Sequence, residues 1–214
     1  MKVSNGSSSS WHTRLPVLLS LMTLLAVAVF VWFFKFASDY QNIVAATVLA
    51  QPRQLPPFEL IDSQGEPFTN ARLQHQWTLL FFGFTQCHYI CPMTMSILKQ
   101  VYHDLAQQLD TNELPHVVMI SVDPERDTLS RLNQYVTAFD ASFIGATGSN
   151  VAVKQLAKDV GVAYNQGIKQ DISDYQIEHS GALLLVDPQG QLVAVFTQPH
   201  HTADIVSDYK QIVE

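Results

Sequence analysis

Two cysteines stand four positions apart in Cys87-His88-Tyr89-Ile90-Cys91-Pro92, and the chain has no others. Thiolates are both the sulfur nucleophiles and the soft metal ligands of proteins, so the pair can exchange with a disulfide or capture a soft ion. A purely structural staple is the weaker reading, because closing so short a loop removes only about 2 kcal/mol of unfolded-chain entropy. A C-x-x-C pair would point to a dithiol redox enzyme; the gap here is one residue wider, which leans toward metal. Two thiolates fall short of the four protein ligands of a structural zinc site, but they suffice for copper(I) once one imidazole joins them.

Eight histidines are available, and composition does not choose among them. His88 lies between the cysteines, with its ring expected to point away from a pocket that its neighbours form. His12 precedes a long apolar run, while His75, His103 and His116 fall at expected surface or strand-edge positions. His200-His201 could be a second metal site, but a solvated loop pair is the plainer reading, since adjacent residues of an extended stretch point opposite ways. His179 precedes a buried strand and follows the polar stretch Asp171-Ile172-Ser173-Asp174-Tyr175, which makes it one candidate among these.

The elements that must hold these side chains can be read from periodicity. Trp77 to Phe84 is a nearly continuous apolar run of strand length, suited to a strand covered on both faces. Beyond the cysteines, Met95, Leu98, Tyr102, Leu105 and Leu109 recur at steps of three and four, predicting an amphipathic helix with Pro92 in its first turn. Cys91 then sits where free N–H groups and the positive helix end favour thiolate, and both sulfurs are expected to react near neutral pH. If the turn between them is helix-like, their Cβ atoms lie about 5–6 Å apart, close enough to share an ion or to form a disulfide.

Phe58 to Asp62 and Pro67-Phe68 read as short strands around a turn. His116 to Val122 is a second buried strand, followed by helices from about Thr128 to Phe139 and from Ser149 or Asn150 to a stop at Gly161. Ala182 to Val186 and Gln191 to Phe196 spell a hairpin around Asp187-Pro188-Gln189-Gly190. Thr202 is expected to cap a last helix that buries Ile205, Tyr209 and Ile212. Buried strands alternating with helices and ending in a hairpin and a helix imply an α/β fold, a mixed central sheet flanked by helices in a thioredoxin-like arrangement.

The N-terminal part is different in kind. From Leu15 to Phe34 no residue is charged, enough helix to match a bilayer core of about 30 Å. A cleaved signal would have a shorter apolar region with a small-residue site close behind it; Val48-Leu49-Ala50 lies too far on. We therefore read residues 1–14 as a cytoplasmic N-terminus, 15–36 as a transmembrane anchor, 37–54 as a proline-containing tether and 55–214 as the functional domain. Lys2, Arg14 and Lys35 flank the span, which puts the bulk of the chain outside. A bacterial inner membrane, with the domain in the periplasm, suits so short a leader better than a mitochondrial presequence does. Past Lys35 the chain carries nine of its 12 basic residues and all 19 acidic ones, a formal charge of −10. Nucleic acid is thereby an unsuitable partner.

Asp123, Arg126 and Asp127 read as a turn and helix-start network with an arginine bridging carboxylates, in preference to a direct part in the chemistry. Glu178 either steers the neighbouring His179 or is an ordinary surface carboxylate. His88, Met93 and Met95 are extra soft or borderline donors near the sulfurs, with exposed loop residues and a core Met95 as the plainer reading.

Taken in order, Phe82-Gly83-Phe84-Thr85 before Cys87-x-x-x-Cys91-Pro92, Val122-Asp123-Pro124-Glu125-Arg126-Asp127-Thr128, Phe143 to Gly148, Asp174-Tyr175 to His179-Ser180, and Leu185-Val186-Asp187-Pro188-x-Gly190 resemble the Sco/SenC family of copper-handling assembly proteins. The resemblance runs from about Leu55 to the C-terminus. It implies a thioredoxin-like fold with insertions, a membrane tether, and copper, as Cu(I) and also as Cu(II), bound by Cys87, Cys91 and His179. The implied role is a metallochaperone rather than a classical enzyme, taking copper from a donor protein and passing it to the copper-accepting subunit of cytochrome c oxidase. The alternative is a thiol–disulfide oxidoreductase in which Cys87 and Cys91 reduce the target's cysteines. The family commonly has Pro-Asp after the first cysteine and an acidic residue after the Cys-Pro; here His88-Tyr89 and Met93 stand instead, which bears on partner choice and redox tuning.

Overall fold

The structure is a computed structural model that describes residues 21–31, 43–166, 175 and 177–213. It divides into two units, residues 1–42 and 43–214. In the first, residues 21–31 form helix α1, exposed along its length. Among the described residues no helix is long and apolar enough to cross a membrane. The expected span 15–36 is described only over that central stretch; the cytoplasmic segment 1–14 with His12, the first residues of the tether, and Asp171 to Asp174 lie outside the described residues.

The second unit is built on an eight-stranded mixed sheet. In chain order its first elements are β1 (Ala46–Gln54), β2 (Glu59–Asp62), β3 (Pro67–Thr69), a 3-10 turn (Asn70–Leu73), β4 (Thr78–Gly83), α2 (Ile90–Ala106) and β5 (His116–Ser121). Then come α3 (Leu129–Thr137), β6 (Ile144–Thr147), α4 (Asn150–Val160), β7 (Tyr164–Gln166), β8 (Ile177–His179), β9 (Leu183–Val186), β10 (Gln191–Phe196) and α5 (Thr202–Val213). The sheet order is β1-β10-β9-β4-β5-β6-β2-β3, and β7-β8 form a separate hairpin.

At the centre, β4 runs parallel to β5 and antiparallel to β9, and all six of its residues are buried. That is why Leu79 to Phe82 are apolar without alternation: both faces of the strand are covered, and each fully buried Leu or Phe contributes about 1.5–3 kcal/mol. The neighbouring order β10-β9-β4-β5, with α2 after β4 and α5 after β10, is the thioredoxin-like core. The remaining strands, α4 and the β7–β8 hairpin are additions to it.

Local chemistry sets the helix ends. The Thr128 and Ser149 side chains accept from the amides of Arg131 and Ala152 and so begin α3 and α4. Gly161 ends α4 at φ 79°, a left-handed conformation that a side chain would strain. α2 starts without a side-chain cap, and Pro92 in its first turn forfeits no helical hydrogen bond.

Two expectations need correction. Residues 46–54, read as tether, are strand β1, paired antiparallel to β10 alone. The prolines misled: Pro52 is tolerated because β1 is an edge strand and its register breaks between Val48 and Arg53, so no ladder donor is missed there. Asp208 of α5 holds the start of this strand, its buried carboxylate accepting from the amides of Val44, Ala45 and Ala46 at 2.9, 2.7 and 2.7 Å. Second, Thr202 is the first residue of α5 rather than its cap; the Ile205 amide bonds to the His201 carbonyl.

Candidate metal centre

β4 ends at Gly83, and the chain then bends through Cys87 into the first turn of α2, which carries Cys91. The Cys87 amide bonds to the Phe84 carbonyl at 3.3 Å, fixing the bend. Both cysteines are free thiols, Cys87 half-buried and Cys91 fully buried. The third side chain arrives from 88 residues further on, at the end of β8. The Cys91 Sγ lies 3.2 Å from the His179 Nε2, and the ligand atoms of Cys87, Cys91 and His179 all fall within 4.8 Å of one another. Among the described residues this is the one cluster of three or more Cys, His, Asp or Glu residues able to hold a metal ion.

The imidazole is held on several sides. Its Nδ1 donates to the Ser180 carbonyl at 3.1 Å, which turns Nε2 toward the sulfurs. The rings of Phe81 and Phe84 meet it edge to face, with centroids 5.9 and 5.8 Å away. β8 is itself fixed by pairing with β7, His179 opposite Tyr164, and by the Ser180 amide bonding to the Ala163 carbonyl. Gly83 is required beneath: a Cβ there would lie 2.7 Å from the Phe81 ring and 3.1 Å from the Cys91 Sγ.

The two sulfurs are not equivalent. The neighbouring Cys91 side chain is the largest influence holding the Cys87 sulfur down at about 3; burial opposes it, and the His179 ring and the amides of Cys91 and Tyr89 reinforce it. The proximity of the Cys87 sulfur, with burial, pushes Cys91 far up. The pair therefore carries one thiolate and one proton. This corrects the expectation that the helix start favours Cys91: its free amide points at the Sγ of Cys87, at 3.3 Å.

Behind the sulfurs lies the network expected of Asp123, Arg126 and Asp127. Asp123 accepts from Arg126 Nε and, at 2.6 Å, from the Tyr175 hydroxyl. The Arg126 guanidinium lies over the Tyr175 ring at 3.6 Å and near the Phe84 ring at 5.7 Å. Asp127 accepts from the Thr85 amide and hydroxyl and from Ser121, tying down the chain just before Cys87. Burial pushes Asp127 up, against these hydrogen bonds. The role of the group is structural: it fixes Phe84 and Thr85, which fix the histidine and the cysteine loop.

Of the other residues singled out, Met95 is fully buried in the core and His88 is exposed, as is Met93. Glu178 lines a groove beside α4, and the Ser180 carbonyl, not Glu178, meets the imidazole Nδ1. His200 is half-buried with its Nε2 2.6 Å from the Gly181 carbonyl, so only His201 fits the solvated-loop reading. Sequence reasoning missed Phe81, Gly83, Phe84 and Ser180 as parts of the site, because an aromatic ring in an apolar run carries no sign of which neighbour it touches.

Residues 47–214 match the family model described as SCO1/SenC. The chain belongs to the SCO1/SenC family. A candidate copper-binding protein of Stutzerimonas stutzeri is 36% identical over 182 residues, covering 83% of this chain and 88% of that one. The human mitochondrial SCO2 homolog is 37% identical over 153 residues, covering 71% and 56%. Across the mitochondrial SCO relatives the matched part spans between 44% and 60% of their length. Among solved structures, Arabidopsis thaliana ScoI with copper bound superimposes with a TM-score of 0.68 at 33% identity, covering 73% of this chain and 96% of that one. The thioredoxin-like SCO1/SenC fold is thus the scaffold on which Cys87, Cys91 and His179 meet.

Proposed function

We propose that this SCO1/SenC protein is a membrane-anchored copper metallochaperone that holds copper on Cys87 Sγ, Cys91 Sγ and His179 Nε2 and delivers it to the copper-accepting subunit of cytochrome c oxidase. One observation carries the reading: two sulfurs and an imidazole nitrogen, contributed by two distant segments, lie within 4.8 Å of one another. Two soft thiolates and one borderline nitrogen suit copper(I), which accepts few and soft ligands. The donor set needs little rearrangement, since Nδ1 is committed to Ser180 and Nε2 is free to bind. Cys91 gives up its proton when the ion arrives, so uptake releases acid. Half-buried Cys87 is the sulfur that an acceptor's ligand can approach first. The copper-bound Arabidopsis relative supports the choice of metal. The N-terminal apolar run supports a single-pass anchor in a bacterial inner membrane with the domain in the periplasm.

The decisive experiment measures copper bound per chain for the reduced full-length protein in detergent, beside Cys87→Ser and His179→Ala. We expect about one copper for the wild type, and at least about tenfold weaker binding for each variant, as for loss of a direct ligand. Unchanged affinity in His179→Ala would defeat the assignment.

A second reading has its own support. The Cys87 thiolate beside the Cys91 thiol is the arrangement of a dithiol reductant: Cys87 attacks a target disulfide, one target sulfur leaves as thiolate, and Cys91 then resolves the mixed disulfide. The target disulfide is reduced and Cys87 and Cys91 are oxidised. That chemistry needs no imidazole ligand, so His179→Ala would keep it while losing copper.

A further inference from the structure

A groove beside the metal centre is used by neither reading. It has a volume of about 480 Å³ and lies between α4 and the β7–β8 hairpin, with Lys154, Lys158, Val162, Tyr164, Glu178 and His179 among its walls. A second hollow of about 320 Å³, sharing Lys154 and Tyr164, continues it toward Asn150 and Val151. From Asn150 to Lys158 the helix advances about 12 Å, the length of about four residues of extended chain.

Its chemistry is unlike the rest of the domain. Beyond Lys35 the chain carries a formal charge of −10, so most of its surface repels an acidic partner. Here Lys154 and Lys158, one helical turn apart and both exposed, face the same groove. Neither has an ion-pair partner among the described residues. Among the described residues Glu178 is the one carboxylate in its walls, and Ala157, Val162 and Ala163 give it an apolar floor. The groove reaches His179, so whatever fills it lies beside a residue of the metal centre.

We propose that this groove docks an extended acidic segment of the protein that accepts copper from this chain, carboxylates meeting Lys154 and Lys158 and an apolar side chain lying on Val162. The inference rests on the metallochaperone reading and adds to it the surface that aligns the acceptor with Cys87. Rim charges of this kind act chiefly on the rate of encounter and on its salt dependence.

The test is a double charge reversal, Lys154→Glu with Lys158→Glu, in the full-length protein in nanodiscs of neutral phosphatidylcholine. The acceptor is the soluble copper-accepting domain of the cytochrome c oxidase subunit proposed above. We expect the variant to bind copper as the wild type does and to pass it on about tenfold more slowly at low salt, with the salt dependence reversed so that added salt speeds transfer. A transfer rate within about twofold of the wild type, with the same salt slope, would overturn the proposal. So would either of two other outcomes at unchanged transfer rate: weaker association with phosphatidylglycerol bilayers, which assigns the groove to the membrane, or loss of self-association, which assigns it to a second copy. If the wild type binds no copper, the metallochaperone reading fails by itself. The groove is then judged by whether the same reversal weakens binding of the metal-free acceptor domain, and equal binding would sink it.

Discussion

The backbone amide of Cys91 points at the Sγ of Cys87, 3.3 Å away, so the free N–H of a helix's first turn serves the cysteine that precedes the helix. With the Cys91 side chain and the His179 ring also beside that atom, the negative charge settles on the more accessible sulfur.

Cys87 should accordingly alkylate at a rate that is flat from about pH 5 to pH 8, where an ordinary thiol speeds up about tenfold per pH unit. In the fold Cys87 stays deprotonated down to about 3, whereas its ordinary value is 9.0. The unfolded chain therefore binds the extra proton between these values. The contribution to stability is complete above 9 and is lost as the pH falls toward 3. Urea midpoints of the reduced, metal-free protein, wild type against Cys87→Ser, should diverge as the pH is raised from 5 to 8; parallel curves would contradict the thiolate.

Gly83→Ala tests the floor of the site. The new methyl group would press on the Phe81 ring and the Cys91 Sγ, and one of the two must move. We expect a loss of about 1–3 kcal/mol of stability, as for overpacking in a core, together with weaker copper binding. Titration with copper and urea denaturation read the two effects; wild-type values in both would show that the close approach is unimportant.

The Asp123–Arg126–Tyr175 group can be taken apart stepwise. Tyr175→Phe keeps the ring over Arg126 and removes only the 2.6 Å hydrogen bond to Asp123, at a cost of about 1–2 kcal/mol. Arg126→Met leaves the buried Asp123 carboxylate without its cation and should cost about 3–5 kcal/mol. Equal losses in the two variants would mean that the ion pair adds nothing beyond the hydroxyl.

Asp208→Asn probes the clamp on β1. Replacing a carboxylate that receives three backbone amides should cost at least about 2 kcal/mol and speed hydrogen exchange at residues 44–46. Unchanged exchange at those amides would show that β1 is held by its pairing with β10 alone.

Periodicity and motif made much of this protein legible. The buried strand before Cys87, the amphipathic α2, the Ser149 and Gly161 ends of α4, and the β9–β10 hairpin are local patterns, because each is set by residues within a few positions of one another. The cysteine pair was visible for the same reason. β1 was not, since an edge strand with a proline in its irregular stretch looks like a tether until its partner β10 is known.

What the chain alone could supply was a sulfur pair, a set of eight histidines and a family likeness that favoured one of them. Only the fold decided the rest. The hairpin of β7 and β8 carries His179 across 88 positions to Cys91, and contacts at that separation leave no periodic trace in sequence. Which sulfur holds the charge, and which rings clamp the imidazole, likewise depend on directions of side chains and amides that exist only once β4, α2 and β8 have packed together.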